Sequence, residues 1–206
     1  MLTCKIKIVK EQGQKISKWS GGITNQLYIY PENSSYENRN FKWRISLATV
    51  EAEESEFTKL PNIQRKIMVL DGGLLLRHQN HYDKKLEKFD IDSFSGDWNT
   101  KSYGKATDFN LMTSEDCSGE LRYINVKSEI ILEPKMNLND SCYRYEFNCF
   151  YSLNGSFKIK LDNGNTLEVE QGDLAIVKFK KGFKGKLILI NSQEEELDII
   201  ESIVYY

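Results

Sequence analysis

The chain has 206 residues, 40% of them hydrophobic and 28% charged, enough for one large domain or two small ones with a buried core. A formal net charge of −2 gives no electrostatic basis for a nucleic-acid or anionic-membrane partner. No apolar run reaches the length of a spanning helix, and the opening "MLTCKIKIVK" lacks a signal peptide's apolar stretch, so a cytoplasmic setting is expected.

Short runs rich in β-branched and aromatic residues recur at 5–10, 27–30, 41–50, 66–70, 74–77, 122–126, 129–132, 145–153, 157–161, 166–169, 174–179 and 186–190. Turn chemistry separates them: "DGG", "SGD", "NGS", "DNGN" and "QGD". Residues 81–89, "HYDKKLEKF", could supply one or two helical turns, and no long amphipathic helix is expected. Pro31, Pro61 and Pro134 fall at strand edges or in loops. An all-β sandwich or barrel follows. The charged runs "EAEESEF" and "SQEEELD" read as solvated faces, and "KFKKGFKGK" as an exposed hairpin. None of the four cysteines forms a C-x-x-C pair, and reduced structural thiols are expected; a Cys142–Cys149 disulfide would need an oxidising compartment.

An internal repeat sharpens the fold. Leu70-Asp71-Gly72 aligns with Leu153-Asn154-Gly155, and Gly96-Asp97 with Gly172-Asp173. Asp-Gly and Asn-Gly tolerate the positive φ of tight hairpins. The two copies resemble two cupin half-jelly-rolls. The chain is therefore expected to be one 1–206 unit with halves near 15–115 and 120–200.

The candidate chemistry lies on strands. In "FKWRISLATV", residues 41–50, one face carries Phe41, Trp43, Ile45 and Leu47, and the other carries Arg44, Ser46 and Ala48. Arg65 is in phase with Ile67 and Val69, and leans over an apolar face. In "TDFNLM", residues 107–112, Asp108 and Asn110 share a face. Singly, each reads as a solvated face or as a satisfied buried pair. Together, three strands carry polar groups that a barrel can converge. "KWSGGITNQ" reads either as a tight turn or as backbone close to a ligand, with Trp19 as a wall and Thr24 or Asn25 as a contact. The two histidines, in "RHQNH", are expected in a surface loop, so no metal and no other cofactor is expected.

The segments "KWSGGITNQLYIYP", "FKWRISLATVEAEESEFTKLPNIQRKIMVLDG", "FSGDW" and "KATDFNLM", in this order and spacing, resemble the HutD family over about residues 15–190. The resemblance implies a bicupin without an established enzymatic activity, binding a small metabolite to modulate histidine utilisation. The glycine segment W-S-G-G is shorter than the W-K-N-G-G-G of many members. On this reading Arg44, Ser46, Arg65, Asp108 and Asn110 line a pocket, with Trp19 and Phe57 as apolar walls and Thr24 as a polar contact. Two guanidinium forks favour a carboxylate ligand such as formylglutamate or a glutamate-like molecule. Two alternatives stand beside it. One is a metal-independent isomerase or hydrolase, with an ionised Asp108 as base. The other is a regulatory protein that acts through a partner protein. An exposed strand edge could also pair two copies into a homodimer.

Overall fold

The computed structural model describes residues 4–136, 142–162 and 164–206. Asn163 of the "DNGN" turn lies outside the described residues. The chain divides into two compact units, residues 14–119 and residues 1–13 with 120–206.

In the 14–119 unit, a six-stranded sheet runs in the order β2 (Lys15–Trp19), β3 (Gly22–Tyr30), β4 (Trp43–Val50), β11 (Ala106–Ser114), β6 (Ile63–Gly72), β9 (Ile91–Ser95). A four-stranded sheet runs β5 (Glu54–Glu56), β10 (Thr100–Tyr103), β7 (Leu74–His78), β8 (Asp83–Leu86). The two pack face to face through Ile67, Val69 and Phe94 from one and Leu74, Leu76 and Leu86 from the other. Burying each of these side chains contributes about 1.5–3 kcal/mol.

The second unit repeats the plan. One sheet runs β1 (Cys4–Val9), β17 (Leu174–Lys180), β14 (Tyr145–Ser152), β19 (Leu197–Tyr205), β12 (Ser118–Val126). The other runs β13 (Glu129–Leu132), β18 (Leu187–Asn191), β15 (Phe157–Leu161), β16 (Thr166–Val169). Phe150, Val177 and Ile199 meet Phe157, Ile159 and Leu189 between them. The fold is all-β and of the bicupin type.

Two expectations are corrected. Residues 83–86 form β8, not helix, because Leu86 enters the core opposite Leu74 while Asp83, Lys84 and Lys85 stay exposed. Cross-strand pairing overrides the helix-like composition. His78 is not in a loop: it ends β7 at 2% exposure, between Thr100 and Asp92 at 2.8 Å each. The charged residues of "SQEEELD" before Leu197 are mostly exposed, as expected of a solvated face, and the segment leads into β19, which is buried on both faces over most of its length. All four cysteines are free thiols.

Candidate functional site

Antiparallel pairing fixes which side chains share the inner face of the six-stranded sheet. Arg44 on β4 and Arg65 on β6 both lie opposite Met112 of the central strand β11. One rung deeper, Gln26, Ser46, Asn110 and Ile67 align. The next rung holds Thr24, Ala48, Asp108 and Val69. Because opposed residues in a sheet point to the same side, these rungs make a polar layer. Ile67 and Val69 belong to the apolar core on one side of it. Ile29, Phe41, Leu60 and Ile63 form a second apolar cluster around Met112 on the other.

The groups of this layer hold one another. The Arg44 guanidinium donates from Nε to Gln26 Oε1 at 2.8 Å and from Nη1 to Ser46 Oγ at 3.0 Å. Its Cζ lies 4.6 Å from the centre of the Tyr36 ring. The Arg65 guanidinium stacks over Phe57 at 4.5 Å and Phe94 at 5.5 Å. Among the described residues its one hydrogen bond, from Nη2 to Asn110 Oδ1, is long at 3.4 Å, and its Nε, though buried, has no partner. The Asn110 amide donates to Asp108 Oδ1. Arg44, Ser46, Arg65, Asp108 and Asn110 are all buried, none more than 6% exposed.

The electrostatics are lopsided. Asp108 is the buried carboxylate that attracts Arg65, while Arg44 feels Glu37 of the 31–40 segment. Burial pushes its carboxyl up from 3.8 to about 7, against the attraction of Arg65 and the hydrogen bond from Asn110. Burial also lowers both arginines, and each still carries its charge at neutral pH. Asp92 shares the inner face opposite Ile67, but His78, Tyr82, Lys84 and the Ser93 N–H occupy its oxygens. The layer therefore holds more positive than negative charge.

The structure brings Arg44, Ser46, Arg65, Asp108, Asn110 and Phe57 together. Thr24 shares the face but is separated from Asp108 by Ala48. Trp19 does not join them. Its ring covers Gly21, where an added Cβ would lie 2.1 Å from it. The close backbone approach at the double glycine is to the protein itself: a Cβ on Gly22 would meet the Thr49 carbonyl oxygen at 1.9 Å. Burial outweighs the attraction of Arg65 on Asp108, whose carboxyl is pushed up to about 7, so it is only partly ionised at neutral pH. Gln26 and Tyr36 were not singled out by sequence. Gln26 follows Thr24 by two residues in regular register, so alternation alone could have placed it, and Tyr36 sits in a loop. A surface depression over residues 77–83 lies at the β7–β8 turn, apart from this layer. Among the described residues, no cluster of three or more His, Cys, Asp or Glu could hold a metal.

Two stacked antiparallel sheets per unit, in tandem, with a polar layer inside the first, define a cupin-type protein. The HutD family model matches residues 11–189, and the chain belongs to that family. It is 30% identical to the protein Ves of Citrobacter koseri over 115 residues, 52% of this chain and 58% of that one. Against Ves of Cronobacter sakazakii it is 29% identical over 120 residues, 55% and 63% of the two chains. The match thus spans about three fifths of these relatives' length. Among solved structures it is similar to a conserved protein of unknown function from Pseudomonas aeruginosa PAO1 (19% identity, TM-score 0.79, 97% and 98% of the two chains). It is also similar to HutD from Pseudomonas fluorescens SBW25 (19%, TM-score 0.67, 96% and 98%). The fold extends to Bacillus subtilis oxalate decarboxylase (7%, TM-score 0.64, 95% and 76%). Among the described residues, no helix is long and apolar enough to cross a membrane.

Proposed function

We propose that the 14–119 unit binds a small acidic metabolite without transforming it. The observation that carries this reading is the buried excess of guanidinium charge, with Arg65 Nε unpartnered and its only hydrogen bond long. Leaving buried donors unsatisfied is costly, and a carboxylate offers the acceptors an arginine fork takes up in pairs. Ser46 and Asn110 supply neutral polar contacts, and Phe57 supplies an apolar wall. Entry is over Arg44, which Tyr36 covers from the largely exposed 31–40 segment between β3 and β4. A formylglutamate- or glutamate-like molecule suits this set, and a role in tuning histidine utilisation from the cytoplasm is the family-level extension of the proposal. No nucleic-acid or membrane partner enters it.

The test is a thermal-shift screen of the whole chain against formylglutamate, glutamate, formiminoglutamate, urocanate and histidine, with EDTA controls. A ligand at a hundredfold excess over its dissociation constant adds about 2.7 kcal/mol to stability. The expected result is an EDTA-insensitive rise with an acidic compound that is lost in Arg65→Met. A flat response to every acidic compound overturns the reading. A second reading has one specific support: a buried Asp108 titrating near 7 suits a general acid or base at neutral pH. It predicts turnover of an acidic substrate that disappears in Asp108→Asn.

A further inference from the structure

The second unit carries an equivalent layer of opposite charge. On β6 and β11, Arg65 lies opposite Met112 and its side chain reaches diagonally to Asn110, two residues back along the partner strand. On β14 and β19, Asn148 lies opposite Ile203 and reaches diagonally to Glu201, again two residues back. The two hydrogen bonds have nearly the same length, 3.4 Å from Arg65 and 3.5 Å from Asn148. Both sit next to their unit's apolar core, at Ile67 in one and Phe150 in the other. The repeat thus places a polar pair at one position twice, with a cation in the first unit and an anion in the second.

Around that second pair, among the described residues, the acceptors Asn148 Oδ1 and Glu201 Oε2 lack a hydrogen-bond donor, and the Arg122 guanidinium is itself under-bonded, its buried Nε having no acceptor. Glu146, on the same face of β14, is 0% exposed and accepts the backbone N–H groups of Lys135 at 3.1 Å and Met136 at 2.7 Å. Glu201 is 0% exposed, and its Oε2 meets one cation, Arg122, whose side chain is 38% exposed. Asn148 is 2% exposed; its amide nitrogen faces Glu201, and among the described residues its Oδ1 has no partner. The cations acting on Glu201 are Arg122, in contact, and Lys135, which also acts on Glu146. A metal ion would need more oxygen ligands than this set leaves free, since Glu146 is engaged by backbone N–H groups. A nitrogen cation needs only two or three acceptors.

We propose that the second unit binds a small alkylammonium ion between Glu201 and Asn148 Oδ1, with Arg122 as the group it displaces from the carboxylate. The cation's N–H bonds satisfy the amide oxygen and the carboxylate, and Arg122 swings to solvent.

Calorimetric titration of the whole chain with n-propylammonium chloride, with potassium chloride as control at equal ionic strength, tests this. Saturable binding that potassium does not match is expected. Glu201→Gln should weaken it at least tenfold, while Arg122→Met, which removes the competitor, should tighten it severalfold. Asn148→Leu gives the same weakening and serves if Glu201→Gln fails to fold. Arg65→Met should leave the propylammonium affinity unchanged. The absence of saturable binding to the wild type overturns the proposal. So does equal competition by potassium, or an affinity unchanged in Glu201→Gln and Asn148→Leu.

Discussion

Asp108→Asn should make this protein more stable at high pH and leave it almost unchanged at low pH. Asp108 is 1% exposed, and its carboxyl is pushed up from 3.8 to about 7. In the unfolded chain it ionises near pH 4, whereas in the fold it keeps its proton until about pH 7. Between these values the unfolded state has released a proton that the folded state still holds, so stability falls as pH rises, by about 1.4 kcal/mol per pH unit. Above pH 7 both states are ionised and the loss levels off at about 4 kcal/mol. Asparagine keeps an acceptor for the Asn110 amide and removes the titration. The measurement is urea denaturation of wild type and variant from pH 4.5 to 8.5. Tryptophan fluorescence isolates the relevant unit, because Trp19, Trp43 and Trp98 all lie within residues 14–119. The advantage of Asp108→Asn should grow through pH 5 and 6 and flatten above 7. A difference that does not change with pH, or a variant weaker than wild type at pH 8.5, would refute the account of a carboxyl whose burial outweighs its attraction to Arg65.

Arg65→Met removes one partner of a buried pair, so by urea denaturation it should lose up to about 3–5 kcal/mol at pH 8.5, where Asp108 is ionised and left uncompensated, and much less at pH 5, where Asp108 keeps its proton. In the same variant Asp108 should titrate at higher pH, since an attraction that lowers it is gone, which the denaturation profile would reveal. Thr100→Val should cost about 1–3 kcal/mol by melting, because it strips the partner from buried His78 Nδ1. Gly22→Ala should cost about 1–3 kcal/mol by driving a methyl group into the Thr49 carbonyl oxygen, and should lower the melting temperature without altering the affinity for any acidic ligand.

How much of the site could be read in the sequence depends on which physical rule placed each residue. Arg44 with Ser46, and Asp108 with Asn110, are each two apart on one strand, so alternation alone puts each pair on one face. Arg65 declared its face in the same way, by being in phase with Ile67 and Val69. Which rung each pair occupies is a matter of register between distant strands, and that depends on bulges such as the one at Thr107 and Asp108. His78 was misread because local composition suggested a surface loop, while long-range packing set it between Thr100 and Asp92. Trp19 was read as either part of a tight turn or a ligand wall, and the turn is what forms: it ends β2 opposite Gly22, with its exposed ring lying on Gly21 two residues on.

The layer in the second unit was hidden for a different reason. β19 reads "LDIIESIVY", with buried side chains at 197 and 199–204, so no alternation marks Glu201 as inward-facing. The sign of Asp108's departure was also beyond the sequence. An arginine beside a carboxylate argues for a low pKa, and the opposite result depends on how completely both groups are enclosed. The charge in each unit follows from the same arithmetic of enclosure. Two guanidiniums against one raised carboxyl characterise the first layer, and two carboxyls raised by burial, with Arg122 in contact and Lys135 acting on both, characterise the second. A duplicated scaffold can hold both signs because the cost of burying each is set locally, by the few groups on its own rungs.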